Sequence, residues 1–394
     1  MKLSVIWRYE YPSRYAFVAL SAYMEQKLGE DIDVFYAPAE ELPSLTSSLP
    51  GLKLIGFSFY SHEKEKIKKE VERIKKTEDI ILIAGGPHPS GDPYGTLRMG
   101  FDYVFFGEGE VSFVSFLRRI MKGERPEERI IKGEKIGLDF FPFPRKKRRF
   151  SPIEITRGCP SGCFFCQTSY LFGKKFRHRP VEVVKEAVKF ALDAGLKDMR
   201  FISPNSFAYG SEGKTPEPDA IYSLLSSIHE LVHGRGRIFF GSFPSEVGPE
   251  WVTPELVSMV KKFCSNDNLV IGAQSGSERI LKAIHRSHGV PEIYRAAECV
   301  LSQGLRAYVD IIFGLPGETE EDMYETFKLM ENLIKMGARI HAHYFMPLPG
   351  TPFARKKPAS LPSSLLKDIR RLVSKGKVFG DWEKQMHYSS LTEA

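Results

Sequence analysis

Short apolar runs alternate with amphipathic stretches along this chain, and they do so in two separate series. In the first series the apolar runs are Leu3–Trp7, Ile32–Tyr36, Leu52–Ser58, Ile80–Gly86 and Asp102–Glu110, with helical patterns over Arg14–Leu28 and about Glu63–Lys76. That alternation is the signature of βαβ units and a parallel sheet. It predicts a small doubly wound, Rossmann-like α/β domain over residues 1–125. Residues 126–150 are charged and then rich in Pro and Phe ("GLDFFPFPRKKRRF"), which reads as an interdomain linker.

From Pro152 the second series predicts strands at Ile153–Thr156, Met199–Ser203, Arg237–Ser242, Leu269–Ala273, Ala307–Phe313 and Arg339–Phe345. Helices are expected over Val181–Ala194, Asp219–Val232, Thr253–Phe263, Ser277–Ala283, Pro291–Ser302 and Glu320–Met336. Val181, Val184, Val188 and Ala191 recur at helical spacing with Gly195 at the stop, and Thr319–Asp322 forms a capping-box-like start. Six β/α units are too few for a closed eight-stranded barrel and predict a partial (β/α)6 TIM-like barrel over residues 151–353. Residues 354–394 are expected to form a helical extension.

A chain of 394 residues accommodates two such domains. No stretch approaches the roughly 18 apolar residues of a membrane span, and the start, "MKLSVIWRYEYPSRYAF", lacks a signal-peptide pattern. The expectation is a cytoplasmic protein. Five cysteines, three of them clustered, do not read as a disulfide framework and point to metal or redox chemistry. The formal charge is +7, and "RKKRRF", Arg145–Phe150, is its densest run: a solvated linker or a phosphate contact.

The cluster is Cys159-x3-Cys163-x2-Cys166, on the loop leaving the first strand of the second series. A structural zinc site needs a fourth ligand, for which His178 is the local candidate, since Cys264 and Cys299 fall in predicted helices. An iron–sulfur cubane held by three thiolates would keep one iron open.

The cysteine spacing, with Phe165 before the third cysteine, resembles the radical S-adenosylmethionine (radical SAM) enzymes. "IGAQSGSERIL" (Ile271–Leu281), "IIFGLPGETEED" (Ile311–Asp322) and "HAHYFMPLPGTPF" (His341–Phe353) extend the resemblance. It implies a [4Fe–4S] cluster on Cys159, Cys163 and Cys166, with S-adenosylmethionine chelating the open iron and yielding a 5′-deoxyadenosyl radical. It further implies S-adenosylmethionine contacts from Phe165, Ser203, Asn205, Glu246, Gln274, Ser275, Ile312 and Phe345. Here Ser203-Pro204-Asn205 stands where the family has a Gly-Gly-Glu-type turn, and Gln274 stands for a glutamate. His341 and His343 share one strand face and are given no role.

Three segments of the first series, "SFYSHE" (Ser58–Glu63), "AGGPHPSGDP" (Ala84–Pro93) and "GFDYVFFGEGE" (Gly100–Glu110), resemble the cobalamin (B12)-binding domain that precedes many radical enzymes. The resemblance implies a cobalamin site at Tyr60, Ser61, Gly85, Gly86, Pro87, His88, Gly107, Glu108, Gly109 and Glu110. The Asp-x-His-x-x-Gly motif that supplies a lower histidine ligand is absent. Cobalamin is therefore expected base-off, with no protein nitrogen beneath cobalt.

Together the two resemblances imply a cobalamin-dependent radical SAM methyltransferase acting on an unactivated carbon through methylcobalamin. The alternatives are a radical rearrangement or cyclisation enzyme, a methylthiotransferase, and a zinc-bearing nucleic-acid-binding module. A methylthiotransferase is expected to carry further cluster-binding cysteines in its first domain, and no cysteine precedes Cys159. An electron donor such as ferredoxin or flavodoxin is the implied partner. The substrate, small molecule, peptide or RNA, is left open, and no residue is assigned a catalytic role.

Overall fold

The computed structural model describes residues 3–11, 13–29, 32–75, 79–213 and 215–391. The chain divides into two units: Met1–Ser151 with Tyr170–Phe172 and Leu348–Gly350, and the remainder from Pro152 onward.

The first unit is one parallel sheet of strands β1 (Leu3–Arg8), β2 (Asp33–Ala37), β3 (Leu52–Ser58), β4 (Ile80–Gly85), β5 (Tyr103–Phe106) and β6 (Ile130–Lys132), in the order β2-β1-β3-β4-β5-β6. Both β1 and β3 are buried along their whole length, because side chains on each face are covered. Val5 and Trp7 pack with Phe17 and Phe113 on one side, while Ile6 and Ile55 pack with Ile67 and Val71 on the other. Strand order reverses at β1/β3, where doubly wound sheets open a crevice at their carboxyl edge.

Residues 126–150, expected as a linker, instead build part of this unit. Strand β6 pairs with β5 (Phe105↔Ile131), and Leu138, Phe140, Phe141 and Phe143 are buried. Phe140 meets Tyr23 at 5.3 Å, and Gln26 Nε2 donates to the Phe141 carbonyl at 2.8 Å. The Pro and charge content that suggested a tether hides an apolar cover for the helix Arg14–Leu28. The basic run is docked too: the Arg145 guanidinium lies 3.9 Å from the Phe141 ring centre, Arg149 lies 5.2 Å from that of Tyr36, and Glu25 accepts the Arg145 N–H at 3.1 Å. The helix expected to reach Lys76 ends at Ile74, and Lys76 lies outside the described residues.

The second unit contains β7 (Ile153–Glu154), β8 (Thr156–Arg157), β9 (Arg177–His178), β10 (Asp198–Ile202), β11 (Arg237–Phe239), β12 (Asn268–Gln274), β13 (Arg306–Phe313), β14 (Arg339–Tyr344) and β15 (Val378–Phe379). Two parallel sheets, β7-β10-β11 and β12-β13-β14-β15, meet where the segment after β11 runs beside β12: Val247 bridges Ile271, and Val270 N donates to Gly241 O at 3.0 Å. Helices sit between successive strands, as in a partial barrel. The helix Val181–Asp193 buries Val184, Ala187, Val188 and Ala191, the stripe visible in its sequence. Thr319 and Asp322 close a reciprocal capping box on the helix Glu320–Met336, which ends at Gly337 with φ 108°.

Three expectations are corrected here. The first strand splits, and β8 pairs antiparallel with β9 (Thr156↔His178). The extension is not only helical: β15 adds a seventh strand beside β14 between the helices Ser363–Ser374 and Trp382–Leu391. Cys264 follows the helix Pro254–Phe263 rather than lying in it, whereas Cys299 is within Val290–Ser302.

Candidate active site

The cysteine loop is held by its own backbone. Gly158 has φ 82°, and a Cβ there would fall 2.2 Å from the Lys175 carbonyl oxygen, so only glycine fits. Cys159 N donates to Gly173 O at 3.0 Å and Cys166 N to Cys163 O at 3.1 Å. The Ser169 hydroxyl donates to Cys159 O at 2.7 Å and accepts from Gly162 N at 3.1 Å. All three cysteines are unbridged and line one cavity of about 310 Å³ within the second unit.

Burial raises the Cys163 thiol, against the pull of Arg286, whose Nη1 lies 3.3 Å from Sγ; burial also raises Cys166, against hydrogen bonds from Thr168. Thiols held this high release their protons to a metal centre on binding. The donor set suits a cluster with one open position. It does not suit tetrahedral zinc, because His178 is spent: Nδ1 meets Thr156 Oγ1 and Nε2 meets the Ser211 carbonyl, each at 2.9 Å. Neither Cys264 nor Cys299 lines the cavity.

The cavity also holds a carboxyl pair. Glu246, from the loop after β11, is pushed up to about 8 by burial and by Asp310. Asp310, in β13, is pushed up to about 7 by burial, and the two are hydrogen-bonded. Glu250 moves the other way: burial would raise it, but His288 at 3.2 Å, Arg286 and the Ser287 hydroxyl at 2.6 Å hold it down at about 2. His341 Nδ1 approaches Asp310 Oδ1 at 2.8 Å, and His343 Nε2 approaches His341 Nδ1 at 3.1 Å.

Of the residues expected to meet S-adenosylmethionine, Phe165, Ser203, Asn205 and Glu246 line this cavity. Ser203 Oγ donates to Asn205 O at 2.7 Å, and Asn205 Oδ1 accepts from Phe207 N at 3.1 Å, so both shape the turn. Gln274, Ser275, Ile312 and Phe345 do not line it. Gln274 is buried with φ 75° at a register shift in β12, and Ser275 Oγ is engaged by Thr326 Oγ1 at 3.2 Å. Ile312 and Phe345 pack with Phe164 and Phe165 in an apolar cluster backing the cysteine loop. The sequence reading gave Asp310, Arg286 and the histidine pair no role. Only the shared strand face of His341 and His343 hinted at them.

In the first unit the cobalamin candidates leave β3, β4 and β5, adjacent strands of the sheet. Ser61 Oγ meets His88 Nδ1 at 2.9 Å, while His88 Nε2 and Ser58 Oγ are buried with no hydrogen-bond partner among the described residues. Burial holds His88 down at about 4, hence neutral. Gly85 has no neighbour nearer than 3.8 Å to an added Cβ, whereas a Cβ at Gly86 would strike Ser58 Oγ at 2.3 Å. Gly86 therefore serves packing. Glu108 and Glu110 are buried, and Gly107 N donates to Ser90 Oγ at 3.1 Å. Tyr60 N donates to Glu63 Oε2 at 2.9 Å, and Pro87 opens the short helix Pro87–Gly91. Gly109 caps the helix Glu110–Met121. Two orphaned polar atoms and an open glycine on this edge fit a bulky polar ligand.

Residues 153–330 match the Radical SAM superfamily model, and residues 13–117 match the B12 binding domain model. This chain is a radical SAM enzyme with an N-terminal B12-binding domain. The cofactors that go with these domains are a [4Fe–4S] cluster with S-adenosylmethionine, and cobalamin. The radical SAM methyltransferase TsrM of Kitasatospora setae, solved with cobalamin and a [4Fe–4S] cluster bound, shares the fold at TM-score 0.71 and 15% identity, over 90% of this chain and 77% of that one. OxsB, a cobalamin-dependent radical enzyme, does so at TM-score 0.64 and 15% identity, over 84% and 52%. By sequence, the tRNA-2-methylthio-N(6)-dimethylallyladenosine synthase of Moorella thermoacetica is 29% identical over 77% of this chain and 68% of its own length. The Thermotoga petrophila enzyme of that name is matched over only 61% of its length. No helix among the described residues is long and apolar enough to cross a membrane.

Proposed function

We propose that this radical SAM enzyme is a cobalamin-dependent methyltransferase acting on an unactivated carbon. The observation that carries the reading is the pairing of a three-thiolate cavity with a B12-binding domain in one chain. When bound, the cluster with S-adenosylmethionine supplies one-electron cleavage, and cobalamin supplies a methyl carrier. Cys159, Cys163 and Cys166 would hold the cluster, and Arg286 donates to the Cys163 sulfur from a half-buried position. Phe165, backed by Ile312 and Phe345, makes one side of the cavity apolar and excludes water. Ser203, Asn205 and Glu246 offer polar contacts, and Glu246 with Asp310 holds a proton at the cavity wall. The edge formed by Tyr60, Ser61, Gly85, His88 and Gly107 would hold cobalamin.

The sequence relatives favour methylthio transfer as the second reading. Against it, residues 1–158 contain no cysteine to hold a second cluster. Two measurements test the proposal. Replacing Cys159, Cys163 and Cys166 together by Ala should remove all cluster iron, and iron retained at wild-type stoichiometry would refute the assignment. With substrate, reductant and cobalamin, one S-adenosylhomocysteine and one 5′-deoxyadenosine should form per turnover, with label from the S-adenosylmethionine methyl group in product. Turnover giving 5′-deoxyadenosine without S-adenosylhomocysteine or labelled product would leave the rearrangement reading.

A further inference from the structure

A chain of five polar side chains, Gln385–His343–His341–Asp310–Glu246, runs from the helix Trp382–Leu391 to the cavity. Its polarity can be read from the outer end. Tyr344 N–H donates to Gln385 Oε1 at 2.7 Å, which fixes the amide and turns Nε2 toward His343 Nδ1 at 3.4 Å. His343 Nδ1 is thereby the acceptor, so the proton of the neutral ring sits on Nε2. That Nε2–H points to His341 Nδ1 at 3.1 Å. The lone pair of His341 Nδ1 also faces Asp310 Oδ1 at 2.8 Å. An ionised carboxylate there would set acceptor against acceptor. The His341 ring cannot swing away, since Phe379 stacks on it at 4.9 Å and Phe243 meets it edge-on at 4.8 Å.

We propose that Gln385 is the positioning residue of a proton relay that keeps the Asp310–Glu246 pair protonated. The cavity wall then carries neutral carboxyls instead of a carboxylate and takes an uncharged ligand group, a hydroxyl, ether or carbonyl, rather than a cationic amine.

The charged groups around the relay agree with this assignment. Asp381 faces both histidines, and Arg286 and His288 face Glu246. Burial raises both carboxyls and lowers both histidines, which favours the neutral forms. Asp310, His341 and His343 also have their ligand atoms within 4.8 Å of one another, as a metal site would. A metal on His343 Nε2 would put the ring proton on Nδ1, against the Gln385 amide N–H, and this favours the relay. Neither cobalamin nor methyl transfer enters the assignment.

The test uses the full chain labelled with 15N-histidine, reading ring tautomers from two-bond proton–nitrogen correlations, with His343→Asn identifying the resonance. Wild-type His343 should be unprotonated at Nδ1. Gln385→Glu, whose carboxylate accepts, should move the proton to Nδ1 and lower the Asp310 titration midpoint by about one pH unit. Gln385→Leu, a milder change, should leave His343 as a mixture of tautomers. A wild-type His343 unprotonated at Nε2, or a tautomer and titration unchanged in both variants, would overturn the relay. Stoichiometric Zn²⁺ retained by the cluster-loaded wild type after chelation and lost in His341→Ala would replace it with a metal site.

Discussion

Both units place ionisable side chains in low-dielectric surroundings, and they stabilise them differently. In the B12-binding unit, Arg8 closes β1 with a side chain fully shielded from solvent, and its Nε and Nη2 meet Glu70 and Glu10 at 2.6 and 2.8 Å. Charge there is cancelled by opposite charge. In the radical SAM unit, Glu246 and Asp310 have no Lys or Arg bonded to them among the described residues, and burial raises both carboxyls toward their protonated forms instead. An ion pair is inert to modest changes of pH, whereas the proton of a carboxyl can move. The first arrangement suits a scaffold, and the second suits a surface where ligands react.

The largest expected effect comes from breaking the ion pair. Arg8→Met leaves Glu70 buried without its partner and should cost about 3–5 kcal/mol at pH 7, measured by denaturant unfolding. A loss under 1 kcal/mol would mean that the two solutions are not different in kind. Next comes pH. The folded values of Glu246 and Asp310 are raised, from 4.5 to about 8 and from 3.8 to about 7. Their contribution to stability is therefore fully present below about pH 4 and is lost as pH rises to about 8. Melting temperature against pH should show this fall, and Asp310→Asn should flatten it. Glu250 has the opposite sign: lowered to about 2, it stabilises above about pH 4.5 and loses that contribution as pH falls toward 2. Glu250→Gln should therefore narrow the acid limb of the same curve. The smallest effect belongs to Glu25→Ala, which removes the carboxylate that accepts from Arg145 N and Lys146 N and should cost less than about 1 kcal/mol. Its readout is faster proteolysis within Arg145–Arg149.

These differences were unevenly legible in the sequence. Strands flanked by amphipathic helices announce themselves, and the start and end of the helix Arg14–Leu28 were read to the residue. Residues 126–150 read as a linker because charge and proline outweighed the phenylalanines, of which Phe140, Phe141 and Phe143 are buried through tertiary contact. A two-residue strand such as β15 has no periodicity to detect. The cysteines were readable because spacing along the chain carries their chemistry. Asp310 and His341 were not, because what joins them is parallel register between β13 and β14, where they are direct partners. Arg286 and Cys163 stand 123 residues apart, and no local signal links them.

The bridge between Val247 and Ile271 has a consequence for how such a protein can diversify. Elsewhere, lengthening a connection between neighbouring strands risks a regular ladder; here the joint is the loop after β11, held to β12 by main-chain bonds at Gly241 and Val247. Glu246 sits beside that joint, and the cysteine loop, which follows β8, lines the same cavity from another stretch of the chain. A lineage could lengthen or recolour the stretch between Phe239 and Asn268, which brings Phe243, Glu246 and Glu250 to the cavity wall, and so alter what the cavity takes, while leaving the cysteine loop itself unchanged.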